Sequence, residues 1–322
     1  MRTLFLLLIM LAGLRMHVAE IFIAKSCESI RHVLSVSIKK TKHNARNAYV
    51  ASGENGRTAR ASDNDEMAKL LFGTEDNIKD AGERLRKIGE LEFDQRKDMV
   101  DDMVKGPPGD IWIYCDLRRF DTEKNGFVWD TRNGHKLTKA LYDRANANGK
   151  VRLLAFTANF VDGKGNKLSV TSVNFVTWYM NFIQNRRYEN KAVVADGSPF
   201  AKKMVRAVAH MPISHWIEVD EKNAALGIML PPATPIDAFR FLVDSVLLHE
   251  FGHSHAAGLG DDTDGDKSYG WWNVVRIKKP NNCDSLLMFA ISITIQDVDH
   301  GGYRAKKDGW LFLPLAESAA NV

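Results

Sequence analysis

Cysteine is scarce in this chain: 322 residues hold three, Cys27, Cys115 and Cys283. Three thiols allow at most one intramolecular disulfide with one left over, which excludes a disulfide-dense scaffold. None has C-x-x-C spacing, so zinc held by cysteine is not expected. No Asn-x-Ser/Thr triplet occurs, which removes the acceptor for conventional N-glycosylation. Charge of either sign is barely in excess. Lys and Arg number 44 against 40 Asp and Glu, a net +4 too small and too spread to mark a nucleic-acid or membrane surface. Long apolar runs are also missing. Leu4 to Leu14 is too short to span a bilayer, and with Arg2 ahead and Ala19 behind it reads as a secretory signal peptide over residues 1–19. Neither internal repeats nor low-complexity segments occur. What is present is ordinary for a soluble domain: 45% hydrophobic and 26% charged residues, enough to bury a core. One domain over 20–322, secreted and without stable membrane association, is the expectation; oligomeric state is not legible.

The most informative stretch is His249-Glu250-Phe251-Gly252-His253, which has the form H-E-x-x-H. On a helix, residues four apart share a face, so His249 and His253 can offer two imidazole nitrogens to one metal ion with Glu250 beside them. Thr234-Pro235-Ile236-Asp237 reads as a helix start, with a capping hydroxyl, Pro at the first helical position and a carboxylate in the first turn. Ala238, Phe239, Phe241, Leu242, Val243, Val246, Leu247 and Leu248 make the segment apolar on most sides, and Gly258 is a natural stop. The histidines thus fall near the end of a buried helix, where imidazoles without partners are costly.

A catalytic zinc generally takes three protein ligands and leaves one position open. The extension H-E-x-x-H-x-x-G-x-x-H fails, because Ala256 and Leu259 stand at its last two fixed positions. A Glu ligand fails too, since none follows Glu250 before Glu317. His255 lies about 200° round the helix from His253 and faces away. The local candidates are the carboxylates of Asp261, Asp262, Asp264 and Asp266. Calcium competes for the same run: Asp262, Asp264 and Asp266 alternate as in an EF-hand, but Lys267 and Asn273 replace its Gly and its final Glu.

Asp262-Thr263-Asp264-Gly265-Asp266-Lys267-Ser268-Tyr269-Gly270 resembles the G-T-x-x-D-x-x-Y-G motif of the aspzincins, the deuterolysin and fungal lysine-specific metalloendopeptidase group, with Asp262 in place of the first Gly. Asn281-Asn282-Cys283-Asp284 followed by Phe289-Ala290 is similar to the family's N-N-A-D-x-x-x-x-F-A segment. The resemblance is specific over 246–290 and loose from Cys27 to Ile295. It implies a zincin-like α+β fold with an active-site core over 234–295 and one Zn2+ per chain. His249, His253 and Asp266 would be the metal ligands, Glu250 the general base and Tyr269 the phenol that steadies the oxyanion. Asp284 would be the substrate-binding residue favouring a basic side chain after the scissile bond. Leu287 stands where lysine-specific members carry Glu, and the connection from His253 to Asp266 is a few residues longer than in the family. The expected function is a secreted zinc metalloendopeptidase acting on proteins or peptides. A secreted zinc-binding effector that does not cut, and a calcium-stabilised structural protein, are the alternatives.

Elsewhere the pattern predicts helices over 27–50 and 65–92, the second broken at Gly73-Thr74, and a firm break at Lys105 to Gly109. Strands are expected at 110–117, 152–160, 213–219 and 225–230, one of the last two lying beside the metal helix. Further helices are expected at 137–147, 170–188, 198–211 and 271–277, with a last apolar segment at 284–295. Phe175, Trp178, Tyr179 and Phe182 read as core. Asp297, Asp299 and His300 read as a solvated turn.

Overall fold

A bundle of apolar helices covers one face of a small mixed sheet, and the H-E-x-x-H helix lies where the two meet. The computed structural model describes residues 18–53, 62–97, 109–130, 135–146, 153–161, 167–185, 199–212, 214–215, 233–258, 260, 262, 265–297 and 302–314. The signal-peptide segment up to residue 17, the strand expected at 225–230, most of that at 213–219, and the Asp299-His300 turn lie outside them.

Strand β1 (Ile21–Ile23) leads into helix α1 (Arg31–Ala51) through a 3-10 turn, Lys25–Ile30. Helices α2 (Ser62–Phe72) and α3 (Glu75–Glu90) follow, separated at Gly73 and Thr74 as the sequence predicts. Gly73 takes a positive φ of 81° and the Thr74 hydroxyl caps α3 by accepting from the Asn77 amide. The apolar stripe Ile30, Val33, Leu34 and Ile38 is fully inside the core. Then come β2 (Ile111–Tyr114), a three-stranded antiparallel sheet of β3 (Thr122–Lys124), β4 (Phe127–Asp130) and β5 (His135–Thr138), and helix α4 (Lys139–Asn146).

Next are β6 (Ala155–Val161), β7 (Lys167–Phe175), α5 (Thr177–Asn185) and α6 (Pro199–Ala209). The helix expected over 170–188 is therefore half strand. Residues 171–175 alternate in the two-residue period of a sheet, and β7 pairs with β2 on one side and β6 on the other. The main sheet runs β1-β2-β7-β6, its first three strands parallel and β6 antiparallel. Ile21, Ile23, Ile111, Ile113, Val173 and Phe175 point into the helical core, whereas Phe22, Trp112 and Tyr114 cluster on the opposite face. Phe175 and Tyr179 stack at 5.9 Å as core; the side chains of Trp178 and Phe182 lie outside the described set.

The long helix expected from Pro235 onward is two elements. The Thr234 amide and hydroxyl both bond Asp237, a capping box that starts a 3-10 turn over Pro235–Phe241. Leu242 is extended at ψ 145°, so the chain turns before α7 (Val243–Gly252) begins. α7 ends one residue short of His253 because Ser254 bonds back to Phe251 and Gly260 donates to the Gly252 carbonyl. Every residue of α7 is buried. Helices α8 (Trp271–Ile277) and α9 (Cys283–Gln296) and the hairpin β8 (Arg304–Ala305) with β9 (Leu311–Phe312) complete the order. The mixed helices and small sheets fit the α+β class.

Cys27 and Cys115 form a disulfide across 88 residues, tying the 3-10 turn before α1 to the residue that follows β2, and Cys283 is the buried free thiol. Closing so long a loop restricts the unfolded chain strongly. Replacing both half-cystines by Ala is expected to cost about 2–5 kcal/mol, read as a lower midpoint in urea unfolding; an unchanged midpoint would show that the bridge carries no stability.

Candidate metal centre

Position, not composition, makes this site. The last turn of α7 carries His249 and Glu250, and His253 follows as its C-cap residue. The chain then turns through Gly258, at φ +91°, and Gly260 before reaching Asp262. A Cβ on Gly260 would sit 2.7 Å from the Gly252 carbonyl oxygen and 2.6 Å from the Cys283 sulfur, so only glycine lets this turn close.

Three donor atoms converge there. The Nε2 atoms of His249 and His253 are 3.2 Å apart, and Asp262 Oδ2 lies 3.6 Å from the first and 3.3 Å from the second. A tetrahedral zinc with Zn–N and Zn–O bonds of about 2.0–2.1 Å has neighbouring donors about 3.3 Å apart, so this triangle already has that ion's edge length. Both rings turn Nε2 inward because Nδ1 is engaged behind. His253 Nδ1 is 2.9 Å from the Gly260 carbonyl oxygen, and His249 Nδ1 is 3.4 Å from Asp284 Oδ1. The other oxygen of Asp262, Oδ1, is buried and has no hydrogen-bond partner among the described residues. A buried carboxylate oxygen left unpaired beside two inward-facing imidazoles is what a cation would satisfy. With two nitrogens among the three donors, the set suits zinc and not calcium, which takes oxygen ligands.

Among the described residues the carboxylate at the histidine pair is Asp262, the residue standing where the aspzincin motif has its first Gly. Asp266 lies on the 3-10 turn Gly265–Ser268, and its side chain falls outside the described set. Tyr269 is at the centre: its hydroxyl donates to Asp262 Oδ2 and its ring stacks on His249 at 5.5 Å. Glu250 is 5% exposed, with Oε2 accepting the Thr157 hydroxyl at 2.6 Å. Thr157 belongs to β6, and Asn159 of the same strand donates to the His253 carbonyl. Among the described residues the strand beside α7 is β6, from 155–161; the 225–230 segment and most of 213–219, one of which was expected there, lie outside them. Thr157 was missed by sequence reasoning because nothing local marks a threonine 93 residues away as a partner of Glu250.

Asp284 is brought to the site. It is 1% exposed, with Oδ2 accepting the Gly270 amide at 2.7 Å and Oδ1 between Arg240 and His249. His255 and His210 lie outside the cluster; His210 bonds the Arg206 carbonyl at the end of α6. Trp271 is core, its indole donating to the Lys307 carbonyl, and Trp272 is 40% exposed.

The electrostatics match the geometry. Burial pulls the His249 imidazole down, but the Asp262, Asp284 and Glu250 carboxylates outweigh it and push the group up to about 10. His253 is likewise raised, against burial, by Cys283 and Asp262. Burial opposes ionisation of Asp262, yet the two imidazoles hold it well below the usual carboxylate range. Burial and the surrounding carboxylates raise Tyr269, which stays a protonated donor at neutral pH.

Two outcomes follow for metal binding. Elemental analysis after dialysis should find one zinc per chain in the wild type and in Asp266→Asn, and none in Asp262→Asn; the reverse pattern would move the ligand to Asp266. Because the raised His249 imidazole holds a proton at pH 7, zinc uptake must expel it. Apparent affinity should therefore fall as pH falls, by about tenfold per unit for each proton displaced. A pH indicator should register that release, and pH-independent binding would show the histidines to be already deprotonated.

No protein-family model matches this chain, and neither a curated protein nor a solved structure matches it, so the reading of the site rests on its own residues and distances.

Proposed function

We propose that the protein is a secreted zinc-dependent endopeptidase of zincin-like fold, with His249, His253 and Asp262 as ligands of one Zn2+ and Glu250 as general base. The observation that carries the reading is the donor triangle of 3.2, 3.3 and 3.6 Å with a buried glutamate next to it. A zinc ion bound there lowers the pKa of a coordinated water and polarises a substrate carbonyl.

The chain's own residues supply the remaining chemistry. Thr157 fixes one oxygen of Glu250 and leaves the other to take a proton from the attacking water and return it to the departing amine. Tyr269, a donor held against Asp262 and His249, can turn its hydroxyl from the carboxylate to the developing oxyanion. An extended substrate has a natural partner in β6, which among the described residues pairs only with β7 and runs alongside α7. Secretion is supported by the apolar Leu4 to Leu14 run and by the Cys27–Cys115 disulfide, which persists in an oxidising compartment. Protein or peptide is the proposed substrate, and nothing in the charge balance favours nucleic acid.

Glu250→Gln should keep one zinc per chain and lose about 10²–10⁴-fold in turnover of a mixed peptide library. Normal hydrolysis by the Gln variant would remove Glu250 from the mechanism. Zinc bound by a wild type that cuts no peptide would instead favour a zinc-holding binding protein.

A further inference from the structure

Behind His249, on the side away from the donor triangle, lies a buried charge pair that the hydrolytic scheme does not use. Asp284 sits in the first turn of α9, where Asn282 caps the helix by accepting the Ser285 amide and the helix dipole favours a carboxylate. Its Oδ2 accepts the Gly270 amide. Its Oδ1 lies 3.3 Å from Arg240 Nη2 and 3.4 Å from His249 Nδ1, contacts of ion-pair length, and meets no donor in hydrogen-bond geometry among the described residues. Arg240 comes from the 3-10 turn Pro235–Phe241, with its guanidinium 5.6 Å over the Tyr269 ring. Asp237 of the same turn accepts the Trp271 amide. One carboxylate and one guanidinium thus join the segment before α7, the turn bearing Tyr269 and the start of α9, all against the back of one imidazole.

We infer that Asp284, clamped by Arg240, is a positioning residue: it accepts the Nδ1 proton of His249, fixes the tautomer that presents Nε2 to the metal, and sets metal affinity, not substrate preference. The inference rests on the metal-site reading above. A histidine whose Nδ1 proton faces a carboxylate has one tautomer and one ring orientation, and its Nε2 is a stronger donor to a cation. Arg240 keeps the same oxygen from needing a proton of its own, since a buried carboxylate without a cation would neutralise. Arg240 remains charged because Asp284 and Asp237 outweigh the effect of its burial. Losing such an outer partner generally costs metal affinity about 10–100-fold.

Zinc dissociation constants by competition with a chromophoric chelator, with circular dichroism as the check on folding, test this directly. Asp284→Asn and Arg240→Met should each weaken zinc about 10–100-fold, and the double variant should be little worse than either alone, because both act through one contact. Any residual cleavage by Asp284→Asn should keep the wild type's ratio of basic to neutral residues after the scissile bond. Unchanged zinc affinity in a folded Asp284→Asn variant, with that ratio lost, would overturn the inference and make Asp284 a specificity residue. Should the variants not fold, nitrogen-15 spectra of histidine-labelled, zinc-loaded wild type decide: a proton on His249 Nδ1 is expected, and its absence overturns the inference. A wild type that binds no zinc would sink the metal reading itself. Weakened zinc in a variant of a protein that cuts nothing would sink only the peptidase reading.

Discussion

Charge compensation in a buried volume is the constraint on which this structure turns. Asp262 and Asp284 approach two imidazoles from opposite sides, and all four groups are at most one-fifth exposed. Carboxylates in such a place cost several kcal/mol each unless a cation answers them. Arg240 answers Asp284, whereas among the described residues Asp262 has only the imidazoles and the Tyr269 hydroxyl, with one oxygen left over. Without a metal, protons take the cation's place, which is why both histidines are driven up and Asp262 down. On the proposed reading, protons and a divalent ion are alternatives at one location.

Holding that arrangement requires rigid surroundings, and the fold supplies them unevenly. α1 lies along α7, and its Thr41 donates to the Asp244 carbonyl at the start of α7, so the metal helix is anchored at the end far from the histidines. At the near end the anchors are polar and come from three separate segments: Thr157 and Asn159 from β6, the Gly260 carbonyl, and Asp284 from α9. Cys283 fills the space between the Gly252 and Gly260 backbones, 3.3 Å from His253 Nδ1. Burial raises this thiol to about 11, with the His253 ring acting the other way, so it is a neutral packing group. Trp271, fully buried with its indole tied to Lys307, locks the turn after Tyr269 against the C-terminal hairpin.

Local signals were legible and long-range ones were not. The H-E-x-x-H spacing placed two imidazoles together because helical geometry is a property of four consecutive residues. The Thr234 capping box, the Gly73-Thr74 break and the apolar stripe of α1 were equally local. The split of the metal helix at Leu242 was hidden because an apolar run has the same composition whether or not its backbone bends. Val170 to Phe175 was misread as helical because it adjoins a real helix, α5, and its alternation spans too few residues to stand out. Thr157, Asn159 and Arg240 carry no pattern that marks them; each acquires its place only when the sheet and the turn before α7 fold onto His249 and Glu250.

The third ligand shows how a departure from a motif can be informative. In the aspzincin pattern the ligand Asp stands four positions after a glycine, and here that glycine position is Asp262. The chain between His253 and Asp266 is also longer than the pattern provides. On the proposed reading both departures have one cause. A carboxylate at 262 reaches the metal across a shorter connection, turned by Gly258 and Gly260, and relieves the carboxylate at 266 of that duty. The phenol then stands seven positions beyond that carboxylate, not three, and its hydroxyl donates to Asp262 Oδ2. On that reading the spatial set of two imidazoles, one carboxylate and one phenol is the set the resemblance implies, with the carboxylate delivered from a different sequence position.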